Sequence, residues 1–178
     1  MSRRKFLSQI LPIQSSPQEM LPPPPAGGLT PYSGAWTTEQ VVHLLKRTQF
    51  GAKWEDVQYF ASRTFQQSIT ELLNPTAPDP SPTKPDTYIA PGTTWVNDIL
   101  ADGALFGSRV LSFQKWWIGN MVNQDRSIRE KMILFWHNHF ATEADTISNS
   151  AYVYRHHQVL RTNALGNFKT LTRAITLD

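Results

Sequence analysis

At 178 residues with 40% hydrophobic side chains, among them six Trp and nine Phe, the chain is long enough to bury one domain-sized core. Its net charge of +3 and pI near 9.3 are scattered along the sequence, with no basic run longer than Arg3-Arg4-Lys5, which argues against a nucleic-acid partner. Zero cysteines exclude disulfides, Cys-ligated zinc, iron–sulfur clusters and thiol nucleophiles, and no stretch approaches the roughly 20 apolar residues of a transmembrane segment.

The first eight residues, MSRRKFLS, match the Ser-Arg-Arg-x-Phe-Leu core of a twin-arginine export signal. A signal continues into an apolar stretch of about 7–15 residues. Here that stretch is broken by Gln9, Gln14, Ser15, Ser16, Pro17, Gln18 and Glu19, so the compartment stays open between export and cytoplasm. Residues 11–35 carry Pro12, Pro17, Pro22 to Pro25 and Pro31 with Gly27, Gly28 and Gly34, a composition that favours extended polyproline segments over packing. The expected organisation is a Pro-rich arm over residues 1–35 and a helical domain over 36–178.

The first helix is expected from Trp36 onward, where Thr37 and Gln40 have capping-box spacing. Val41, Leu44, Leu45 and Thr48 share one face, and Phe50-Gly51 supplies a glycine stop. Trp54–Ala61 and Phe65–Leu73 read as two short amphipathic helices, the second ended by Asn74-Pro75 because the residue before proline disfavours helical geometry. Residues 74–92 hold Pro75, Pro78, Pro80, Pro82, Pro85 and Pro91 and are expected to form a long loop, an insertion or a lid.

Residues 110–122 are apolar on most sides, the pattern of a largely buried helix. After a turn at residues 123–126, Ser127 and Glu130 form a second capping-box pattern, and Ser127 through Phe140 is expected to coil as one helix. A further helical segment ends at Gly166 and another begins at Phe168. No segment alternates with period two, so the fold class is all-α, an irregular multi-helix domain with a Pro-rich N-terminal arm and a long Pro-rich loop. Because the sequence stops at Asp178 inside a helical pattern, a further C-terminal part of the same protein is the expected partner.

The chemistry-bearing residues concentrate in EKMILFWHNHFATEAD, residues 130–145. Consecutive helical residues turn by about 100°, so His137 and His139 point to opposite sides and do not share a metal from a helical backbone. The His-Glu-x-x-His zinc spacing is absent, and the contiguous His137-Asn138-His139 lacks the strand–strand–helix context of HNH nucleases. His137, Asn138 and His139 are nonetheless the candidate catalytic residues, with metal content and cofactor open; the competing reading is a buried imidazole that needs only a hydrogen-bond partner. His156-His157 puts one ring on the apolar stripe of its helix, and a three-histidine site with His137 or His139 is a possibility that bundles allow. His43 and Arg47, one turn apart, and Trp136 are candidate ligand-binding residues, the first two for an anion. Trp116-Trp117 and Trp136 suit either an aromatic-lined cleft or the core, and each buried indole needs an acceptor nearby.

HLLKRTQFG (43–51), WWIGNM (116–121), REKMILFWHNHFAT (129–142) and LRTNALGNFKTL (160–171) together resemble the DUF1800 family, large bacterial proteins of unknown function. The positions that match its motifs are His43, Arg47, Phe50, Gly51, Trp136, His137, Asn138, His139, Phe140, Leu165, Gly166, Asn167 and Phe168. The resemblance implies a longer protein that continues with a block similar to Asn-Glu-Asn-x-Ala-Arg-Glu, and it carries no catalytic assignment. Two expectations follow: a histidine-dependent, hydrolase-like enzyme using metal or acid–base chemistry, or a non-catalytic structural or binding module of the cell envelope.

Overall fold

In the computed structural model the described residues are 30–76, 81–82, 93–99, 103–123 and 125–178. The chain divides into two units, Met1–Gly34 and Ala35–Asp178. Most of the expected arm, residues 1–29, and most of the Pro-rich loop, 77–80 and 83–92, lie outside the described residues. Among its described residues the second unit holds eight helices and no strand, so the protein is all-α. In chain order they are α1 Thr38–Thr48, α2 Trp54–Ala61, α3 Phe65–Leu73, α4 Phe106–Val122, α5 Arg129–His139, α6 Ala144–Ile147, α7 Ser150–Asn163 and α8 Phe168–Thr176.

Two apolar clusters form. Val41 and Leu45 of α1, Val57 and Phe60 of α2 and Leu72 of α3 bury each other, and Trp36 closes this group by donating from its indole to Phe60 O at 3.3 Å. The second cluster joins Phe113 and Trp117 of α4, Ile133 of α5, and Val153, Tyr154 and Ala164 from the α7 region to Trp95 and Val96. Arg109 of α4 holds that last segment, donating to the Asp98 carboxylate at 2.8 Å and to Asp98 O at 3.1 Å. The Trp95 indole reaches Ser112 Oγ at 3.3 Å. Ile128 N donates to Leu72 O at 2.9 Å, and Arg126 bonds Asp56 at 2.9 Å while lying 3.9 Å over the Tyr59 ring, so the α1–α3 group is tied to the start of α5.

The structure corrects several local expectations. Thr37 does not cap α1, because its hydroxyl is spent on the Gln40 side chain. Gln49 in extended geometry, not a left-handed Gly51, ends that helix, and its buried side chain reaches Asp125 O at 3.4 Å. Ser127 and Glu130 make no capping box: α5 starts at Arg129, Ser127 Oγ bonds Asp125 at 2.5 Å, and Glu130 turns into the core. A full capping box does occur at Thr64 and Gln67, with bonds of 3.2 and 2.9 Å. Finally, α4 is not buried all round, since Leu111, Ile118 and Val122 stand exposed along one stripe. Its apolar pattern sums two faces, and only the face with Phe113 and Trp117 is covered.

Candidate functional site

α7 packs against α4, α5, α6 and α8 and is therefore the helix around which this half is assembled. It begins at Asn149, whose side chain accepts from Ala151 N at 3.0 Å and Tyr152 N at 3.3 Å. α5 runs antiparallel to it: Glu130, at the start of α5, pairs with Arg161 near the end of α7, and Phe140, just past α5, meets His156. Arg161 donates from its two terminal nitrogens to Glu130 Oε1 and Oε2 at 2.7 and 2.9 Å, a bidentate pair with both side chains buried. Glu130 is thus no ordinary first-turn charge.

At the other end of the α5–α7 contact, three imidazoles gather beside α4. The Trp117 ring stands edge-on to both His137, at 4.9 Å, and His157, at 4.5 Å. His157 also meets Phe113 at 5.1 Å and Trp116 at 5.4 Å, so aromatic rings enclose it. It is 1% exposed, and neither ring nitrogen has a partner among the described residues. Burial in this apolar box pushes its pKa down to about 2, with Arg161, His137 and His156 acting in the same direction. His137 is half-buried, and burial followed by the charge of His156 moves it below the usual histidine value. Both rings are therefore neutral near pH 7.

His156 differs. Its Nδ1 lies 2.8 Å from Asp178 Oδ2 and its Nε2 3.2 Å from Phe140 O. Both neighbours are oxygens, so the ring is held in place at each of its nitrogens. A cavity of about 320 Å³ is lined by Gln114, Trp117, His137, Thr142, Glu143, His156 and His157, with Val110, Phe113, Ala144 and Val153 as its apolar part. A second cavity of about 510 Å³ is lined by Thr142, Ile147, Tyr152, Arg155, His156 and Asp178. His156 and Thr142 belong to both. Among the described residues no three His, Asp or Glu side chains are grouped to hold a metal ion.

Of the candidate catalytic residues, only His137 reaches this cavity. Asn138 and His139 are exposed, and His139 packs its ring against Phe140 at 4.7 Å. α5 sends the two imidazoles apart as its helical geometry requires. His43 and Arg47 are exposed on α1, away from the imidazole cluster. Trp136 donates to Ala164 O at 3.0 Å and stacks on Phe168 at 5.5 Å, which is a packing role. The expected acceptor is present for Trp36, Trp95 and Trp136, whereas the Trp116 and Trp117 indoles, with Asn120 Nδ2, have none among the described residues. The His156-His157 pair pointed to α7 from the sequence, and the structure brings His137, not His139, to it. Asp178 gave no sequence signal as the partner of His156.

The family model described as "Protein of unknown function (DUF1800)" matches residues 43–178, which contain every side chain of this site. Neither the curated proteins nor the solved structures provide a match.

Proposed function

The chain belongs to the DUF1800 family, so its activity has to be argued from the site, and we propose a hydrolase-like acid–base enzyme acting at the α4–α5–α7 cavity. The observation that carries this reading is that a neutral, half-buried His137 lines the same cavity as His156, whose ring is fixed between Asp178 and Phe140 O. A base must be unprotonated at the working pH, and burial keeps His137 so. In the proposed step a water oxygen bonds to an acyl carbon while its proton passes to His137. The carbon–leaving-group bond then breaks as the same proton moves to the departing atom. His156, its ring fixed between Asp178 and Phe140 O, forms part of the same cavity wall beside that reaction.

A panel of short-chain p-nitrophenyl esters tests this. The expected result is hydrolysis that is lost in His137→Gln and kept in His139→Ala. Because the His137 pKa is lowered, the rate should be half-maximal at a pH below the ordinary histidine value of about 6.5. Full activity in His137→Gln refutes the reading, and stoichiometric metal by elemental analysis would replace the acid–base step with metal chemistry. A second reading, a non-catalytic structural or binding module, is favoured by the buried Glu130–Arg161 pair and the Trp136–Ala164 bond, which fix helix packing. It expects no turnover and a loss of stability, on the order of 1–3 kcal/mol, in His137→Gln.

A further inference from the structure

The outer face of α4 is apolar where a helix facing water is ordinarily polar. Leu111, Lys115, Ile118 and Val122 fall within about 60° of one another around the helix, and Ile118 and Val122 are 59% and 61% exposed. The connection from α1 to α2 continues this surface: Phe50, Gly51 and Lys53 meet Ile118, Met121 and Val122 around a groove of about 410 Å³. Trp54, the next residue, is 66% exposed. None of these side chains lines the imidazole cavity. We propose that this face binds the surface of an anionic lipid membrane, with Ile118, Val122 and Trp54 entering the boundary between headgroups and acyl chains and Lys53, Lys115 and Lys131 set against lipid phosphates.

Charge selects this occupant. Lys53 lines the groove, Lys115 stands on the apolar stripe, and Lys131 lies 4.9 Å over the Phe50 ring. Among the described residues no carboxylate pairs with any of the three, and α4 contains neither Asp nor Glu. Of the carboxylates close by in the chain, Asp56 is held by Arg126 and Asp125 by Arg129, which leaves Glu55 to offset a single charge. A second copy docked by two-fold symmetry would set this lysine-bearing patch against itself, like charge against like. A membrane instead offers dispersed phosphates at the height the ammonium groups reach while their alkyl stems lie on the apolar stripe. Tryptophan favours that same interfacial level, and Trp54 follows directly on Lys53.

The experiment sediments the full chain with vesicles of phosphatidylcholine alone and of phosphatidylcholine mixed with phosphatidylglycerol. Binding is expected to the mixed vesicles and to fall away as salt is raised toward about 1 M, where the screening length is about 3 Å. Lys53→Gln with Lys115→Gln should lower the partition about thirtyfold, the worth of two charges at such a surface. Ile118→Ser with Val122→Ser should lower it as well, while Leu177→Ser, an apolar loss at an 84% exposed residue beyond α8, should bind like the parent. Brominated acyl chains should quench tryptophan fluorescence in the parent and not in Trp54→Phe. Should the double serine variant not fold, the lysine variant, the salt dependence and the quenching decide. No binding, equal binding to the uncharged vesicles, or an equal loss in Leu177→Ser overturns the proposal. A dimer that forms without vesicles and is lost in the double serine variant overturns it too, and gives the face to a second copy.

Discussion

Lowering the pH from 7 to 5 should destabilise the fold through His157 by an amount that can be worked out. Its folded pKa is about 2 and its unfolded value about 6.5. Above 6.5 both states are neutral and the native state keeps all of its advantage. As the pH falls through 6.5 the unfolded chain takes up a proton that the folded chain refuses, so stability drops by up to about 1.4 kcal/mol per unit until the folded pKa is reached. Between pH 7 and 5 the loss from this one ring is about 2 kcal/mol, and it depends little on where the folded pKa lies so long as it is well below 5. His137, also shifted down, adds to it in the same sense. Urea denaturation of the parent chain and of His157→Leu at both pH values isolates the effect, because all other titrations cancel in the difference. The parent should lose about 2 kcal/mol more than the variant over this interval. Equal losses would mean that His157 is solvated or hydrogen-bonded in the native state, and the argument from its isolation would fail.

Glu130→Gln should cost about 3–5 kcal/mol in urea denaturation, since it leaves the Arg161 guanidinium buried without its counter-charge. Replacing both partners by Met should recover most of that loss, and a double replacement as unstable as the single one would show that the pair stabilises beyond charge compensation. Asn167→Ala should cost about 1 kcal/mol, because the Asn167 side chain accepts from Lys169 N at 2.9 Å and Thr170 N at 3.3 Å at the start of α8. Thr37→Ala should cost clearly less, as Thr37 caps no backbone group; equal midpoint shifts for the two variants would contradict the geometry.

Local rules read the helices well and their partners poorly. α2 and α3 begin and end where the sequence places them, because Pro75 stops α3 and the apolar spacing of each leaves one buried face. The divergence of His137 and His139 follows from helical geometry alone. The short α6 was not foreseen, four residues being too few to show a period. The two capping boxes expected at Thr37 and Ser127 failed for a common reason. Each side chain found a partner other than the one a capping box needs: Gln40 for Thr37, Asp125 and the Arg129 N–H for Ser127, and Arg161, far along the chain, for Glu130. The site was half legible, since His137 and the His156-His157 pair stand out as residues. Trp117 against both rings, and Asp178 against His156, are contacts between separate helices that no spacing rule encodes.

The structural and chemical readings of this helix pair are less opposed than they first look. Glu130 and His137 are seven residues apart on α5, about 10 Å along its axis, and Arg161 and His157 are four apart on α7, about 6 Å. The ion pair and the imidazoles thus occupy two ends of one antiparallel contact. A slide of α5 by a single turn, about 5.4 Å, would break the bidentate geometry at one end and carry His137 away from Trp117 at the other. An apolar pair would stabilise the contact as well but would accept neighbouring registers more readily, because dispersion is not directional. Burying Glu130 against Arg161 therefore makes best sense as the device that fixes register, with the neutral rings of His137 and His157 as what that register positions.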